Sequence, residues 1–77
     1  MPYETDHYKR EREKILREAR DLARAAQRIG EPTLAEIADH GAEIVFVARP
    51  KSGNEEFARI KDARNALDFV RDRLSHH

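Results

Sequence analysis

The residues able to move a proton or hold a metal ion at neutral pH are His7, His40, Glu36, Asp39 and the two tyrosines, Tyr3 and Tyr8. Glu36 and His40 stand four apart, a spacing that places both on one face of a helix. A metal ion needs a third ligand, and no neighbour supplies one at a recognisable spacing. His40 precedes Gly41, so it also reads as a cation near a helix C-terminus, where the helix dipole favours positive charge. The chain has no cysteine, which excludes a thiolate nucleophile, a disulfide framework and Cys-ligated zinc. It carries no P-loop, dinucleotide-binding glycine pattern, nucleophile elbow or zinc-protease motif. The expectation is a protein that is not an enzyme, with no catalytic residue, cofactor or metal.

A second cluster could hold an anion. Arg49, Lys51, Ser52 and Asn54 crowd one turn-rich stretch before a helical segment. Free N–H groups at a helix start, together with two cations, can cradle a phosphate or carboxylate. Glu55 and Glu56 follow at once and would repel it. Ser52 or Asn54 acting as a plain helix cap explains the same residues without a ligand.

The elements that must position these groups follow from apolar spacing. Tyr8, Ile15, Ala19, Leu22, Ala26 and Ile29 form a heptad seam, with Arg12 at the missing position, and predict one long helix over residues 5–29. Gly30 supplies a left-handed cap and Pro32 blocks continuation. Pairs such as Glu13–Arg17, Glu11–Lys14 and Asp21–Arg24 have the spacing for ion pairs along that helix. Thr33-Leu34-Ala35-Glu36 reads as a capping box opening a short helix over 34–40, which Gly41 ends. Residues 43–49 are rich in β-branched and aromatic side chains and predict a strand. Phe57, Ile60, Ala63, Leu67, Val70 and Leu74 mark a second long helix over about 55–74.

Charge is unevenly spread. The chain holds 15 basic and 15 acidic residues, but residues 1–30 are net +2, residues 31–48 net −4 and residues 49–77 net +2. Arg12 to Ala19, then Pro32-Thr33-Leu34-Ala35-Glu36-Ile37-Ala38, resemble the opening of TetR-type helix-turn-helix regulators. That resemblance implies a DNA-binding helix after the turn. Here Ala38 and Gly41 are separated by two residues where the family has three, and the acidic, strand-like stretch stands in place of the recognition helix. Since phosphate neutralisation dominates DNA affinity, the best remaining nucleic-acid footprint is the basic side of the first helix: Arg10, Arg17, Arg24 and Arg28.

Seventy-seven residues make one small helical domain, 1–77. Eleven alanines leave only 19 large apolar side chains, a thin core for which self-association is one remedy. No apolar run is long enough to span a bilayer. The polar start, Met1 to Asp6, lacks the layout of a secretory signal. Despite a mean hydropathy of −0.89, regular apolar spacing argues for a folded, soluble, cytoplasmic protein. The expected fold is mostly α: two long antiparallel amphipathic helices, a short connecting helix and one short strand. The strand has no mate within the chain. Either the segment is a buried helix or extended piece, or it pairs with its twin; the expectation adopted is pairing across a homodimer through Ile44, Val45, Phe46 and Val47. The expected function is a small non-enzymatic interaction or regulatory domain that binds another protein. A helix-turn-helix-like DNA-binding regulator is the alternative.

Overall fold

The computed structural model describes residues 6–46 and 51–76. Val47 of the expected strand, Arg49 of the expected anion loop and Tyr3 lie outside these residues. The described chain is three helices: α1 (Asp6–Arg28), α2 (Pro32–Phe46) and α3 (Gly53–Ser75).

The expected long first helix is present, and its end is a Schellman turn. Gly30 adopts φ +79°, its N–H bonds the Gln27 carbonyl at 3.1 Å, and the Glu31 N–H bonds the Ala26 carbonyl at 2.8 Å. α2 opens earlier than the Thr33 capping box implied. Pro32 takes the first helical position, where a missing N–H costs nothing and the fixed φ is already helical.

The largest correction concerns α2. The helix does not stop at Gly41, and no strand forms among the described residues; residues 43–46 continue the helix to Phe46. A helix satisfies its own backbone groups, whereas a lone strand cannot. β-Branched residues lower helix propensity by only a few tenths of a kcal/mol each, and packing overrides so small a preference. Gly41 is a contact residue. A Cβ built there would lie 3.2 Å from Leu67 Cδ2 and 3.4 Å from both the Ala63 carbonyl oxygen and Ala66 Cβ. Glycine lets α2 lie close against α3.

Because α2 runs the length of the bundle, the long helices are not antiparallel. Tyr8, near the start of α1, donates to the carbonyl of Val45, near the end of α2, at 3.3 Å. Arg59, in the second turn of α3, donates to the Ile44 carbonyl at 3.0 Å. α2 is therefore antiparallel to both neighbours. The α1–α3 ion pairs, Glu11–Arg64 and Glu18–Arg71 at 2.7 Å, share one offset of 53 residues, so α1 and α3 run parallel. The molecule is an up-down-up bundle measuring 42 × 17 × 16 Å.

Tyr8, Ile15, Ala19 and Ala26 of α1, Leu34, Ala38 and Val45 of α2, and Ala63, Leu67 and Val70 of α3 are buried between the helices. Leu22, Ile37, Ile60 and Leu74, also expected inside, are half-buried against this core. Ile29 and Phe46, expected in the core, are not there, and Phe57, expected on the apolar stripe of the last helix, faces solvent. Ile29 lies in the turn beyond α1 and is 40% exposed, Phe46 is 68% exposed and Phe57 is 70% exposed. At about 100° per residue, Val45 and Phe46 cannot both face inward, and Val45 holds the core position at 1% exposure.

Candidate interaction surface

The catalytic and metal candidates are not brought together. His7, Glu36, Asp39 and His40 are all exposed. Tyr8 is buried with its hydroxyl on the Val45 carbonyl. Among the described residues, no group of three or more His, Asp or Glu side chains is arranged to hold a metal ion.

The expected anion cluster is organised by the chain's own carboxylate. Ser52 caps α3, its hydroxyl accepting from the Glu55 N–H at 3.2 Å. Asn54 is the second residue of the helix and exposed. One Glu55 oxygen accepts from the Lys51 N–H at 2.9 Å, and the other accepts from Arg59 Nη2 at 2.8 Å and Nε at 3.1 Å. Glu55 thus sits where an external anion would have to sit. Its hydrogen bonds to Arg59 and then to the Lys51 N–H hold its carboxyl below the ordinary carboxylate value. A depressed folded-state value means that the carboxylate stabilises the fold at neutral pH and that this contribution is lost as pH falls through that value. Side-chain NMR titration of Glu55 is expected to give a midpoint below that of an ordinary glutamate. In Arg59→Met the midpoint should return toward the ordinary value. An unshifted wild-type midpoint would refute the arrangement.

The expected strand interface is divided by the helix. Val45 is in the core, Ile44 is half-buried and Phe46 projects outward. Where the TetR resemblance implies a turn after Ala38, α2 runs on unbroken.

Arg10, Arg17, Arg24 and Arg28 are exposed along α1, as are Lys14 and Arg20. Helical geometry puts all six on the side away from Ile15, Ala19 and Ala26. The intrahelical pairs expected from spacing, Glu13–Arg17, Glu11–Lys14 and Asp21–Arg24, are not among the ion pairs of the described residues. Glu11 and Glu18 turn instead to Arg64 and Arg71 of α3. α2 is the converse: Glu36, Asp39 and Glu43 are exposed, and the helix contains no Lys or Arg.

Between these two helices lies a groove of about 360 Å3. Leu16, Ala19, Ala23, Ala42 and Phe46 form its apolar lining, with Arg20 and Arg24 on the α1 wall and Asp39 on the α2 wall. A larger groove, about 630 Å3, runs beside the start of α3 and includes Phe57, Ile60 and Lys61. A third, about 430 Å3, at the opposite end of the bundle, includes Leu34, Ile37 and Phe69. There Arg73 stacks over the Phe69 ring at 5.1 Å.

Sequence reasoning placed Phe46 in the core and Phe57 on the apolar stripe of the last helix, and so missed the outward aromatics. The signal was present for Phe46, because four consecutive apolar residues cannot all face the core of a helix. The opposition of a basic α1 face to an acidic α2 face was visible in the segment charges. Its meaning depends on the two helices being neighbours. No helix among the described residues is long and apolar enough to cross a membrane. Comparison with protein-family models, with curated proteins and with solved structures finds no match to this chain.

Proposed function

We propose that this chain is a small non-enzymatic interaction domain, cytoplasmic and regulatory in role, that works by binding another protein. One observation carries the reading: all three phenylalanines of the sequence stand outside the core, Phe46 at 68%, Phe57 at 70% and Phe69 at 45% exposure. Burying one Phe side chain is worth about 1.5–3 kcal/mol. A 77-residue chain with few large apolar residues forgoes that gain three times over, while half of its buried apolar residues, among those described, are alanine. Single exposed apolar residues are ordinary. Each of these rings, however, borders a groove, and aromatic anchors beside concave surfaces are the usual centres of protein–protein contacts. The exposed, scattered positions of His7, Glu36, Asp39 and His40 support the non-enzymatic part, because acid–base catalysis needs such groups held together in a cleft.

The test is affinity capture with the wild-type chain and the double variant Phe57→Ser/Phe69→Ser, read by quantitative mass spectrometry. Both positions are exposed, so the variant is expected to keep its helical circular dichroism while losing at least one captured protein about tenfold or more. Identical capture profiles from two folded proteins would reject the reading. Retention dominated by nucleic acid, weakening steeply with salt, would favour the DNA-binding alternative.

A further inference from the structure

The geometry points to a second copy of this chain as the occupant of the α1–α2 groove, forming a face-to-face two-fold dimer. This deepens the interaction reading above and rests on it.

The face is self-complementary. One wall carries Arg20 and Arg24, the other carries Asp39, and Leu16, Ala42 and Phe46 lie between them. Beyond the walls, Arg17 and Arg28 extend the cationic edge on α1, and Glu36 and Glu43 extend the acidic edge on α2. These cations and carboxylates make no ion pair with one another among the described residues. The groove holds the two edges apart within one subunit, and both sets are left for an external partner.

Two face-to-face arrangements keep a two-fold axis in the plane of contact. If the axis lies across the helices, α1 meets the mate's α1 and α2 meets the mate's α2. Cations then face cations and carboxylates face carboxylates, which is repulsive. If the axis runs parallel to the helices, each subunit's α1 lies over the mate's α2. Every cationic edge then meets an acidic edge, and the pairing occurs twice by symmetry. A parallel axis also preserves height along the bundle. Phe46 and Leu16 share one groove, so the Phe46 ring of each subunit comes to rest over the mate's Leu16. Alanines on the floor allow the close approach. The arrangement covers the exposed large apolar residue of α2, Phe46, and uses the charge separation that a net-neutral chain otherwise leaves unexplained.

The experiment is sedimentation equilibrium of the full chain over a wide concentration range. The expected wild-type result is a reversible dimer of twice the 9.0 kDa subunit mass. Phe46→Glu is expected to raise the dimer dissociation constant about tenfold or more, with unchanged helical content. Arg20→Glu/Arg24→Glu should weaken the dimer similarly. Adding Asp39→Arg/Glu43→Arg in the same chain should restore it, since the edges are then exchanged and still opposite. A wild-type chain that stays a folded monomer at the highest concentration overturns the dimer, as does a dimer indifferent to Phe46→Glu or a four-fold variant that fails to recover while folded. A monomer that still loses captured protein in Phe57→Ser/Phe69→Ser leaves the interaction reading standing and removes the dimer alone. Salt-sensitive DNA binding by a monomer through Arg20 and Arg24 assigns the edge to nucleic acid and likewise overturns it.

Discussion

Replacing Leu67 by alanine is expected to lower the stability of the bundle by about 2–5 kcal/mol, the range for deleting most of a fully buried leucine. Leu67 is 1% exposed, in the interior of α3. Its Cδ2 reaches the backbone of α2 at Gly41. Among the described residues, half of the buried apolar ones are alanines, which have no rotamers with which to fill a void. A domain of this length has a total stability on the order of 4–12 kcal/mol, from the usual 0.05–0.15 kcal/mol per residue. The loss is therefore a large part of the whole. Each kcal/mol lowers the melting temperature of so small a domain by roughly 4–8 °C. Urea unfolding followed by circular dichroism checks this directly. A loss below about 1 kcal/mol would mean that Leu67 is not the wedge between α2 and α3.

The second large effect is at Gly41. Gly41→Leu is expected to destabilise by about 1–3 kcal/mol or more, the usual cost of overpacking a filled core. Helix propensity alone predicts the opposite sign, since leaving glycine inside a helix forgoes roughly 0.8–1 kcal/mol. The contacts decide between them. The first added carbon already lies 3.2 Å from Leu67 Cδ2 and 3.4 Å from the Ala63 carbonyl oxygen, and backbone oxygen cannot move aside. Gly41→Ala is a sharper probe, because only the Leu67 methyl must yield by much. In the Leu67→Ala background that methyl is gone. Gly41→Ala should there become stabilising, which a double-mutant cycle reads as a coupling between the two sites. Independent, additive effects would show that the two helices do not meet at this point. Were Gly41 the end of a short helix, as its sequence position suggests, none of this coupling would be seen.

Much of α1 and α3 was legible because their signals are local and agree with one another. Apolar residues recur at three and four. The Ser52 cap and the Gly30 terminator stand where the structure uses them. α2 was misread because its signals conflict. Gly41 resembles a stop and residues 43–49 resemble a strand. Both readings treat the segment as if it had no neighbours. Once α3 packs against Gly41, the helix continues, Val45 turns inward and Phe46 turns out. The anion cluster was legible as a helix start, and the partner that fills it, Glu55, was already visible as a carboxylate in the first turn. The exposure of Phe57 was legible too: at about 100° per residue, two three-residue steps turn it roughly 120° away from Ala63, off the stripe that Ala63, Leu67 and Val70 bury.

The sequence by itself determined that this is a helical chain with two long amphipathic segments, where α1 ends, how α3 begins and how charge divides along its length. Those features depend on residues within a turn or two of one another. Tertiary structure alone decided that the middle segment is a full helix, that α1 and α3 run parallel and that a basic helix lies beside an acidic one across an apolar groove. The physical reason is that weak local preferences, a few tenths of a kcal/mol per residue, yield to the close contact of one helix with another.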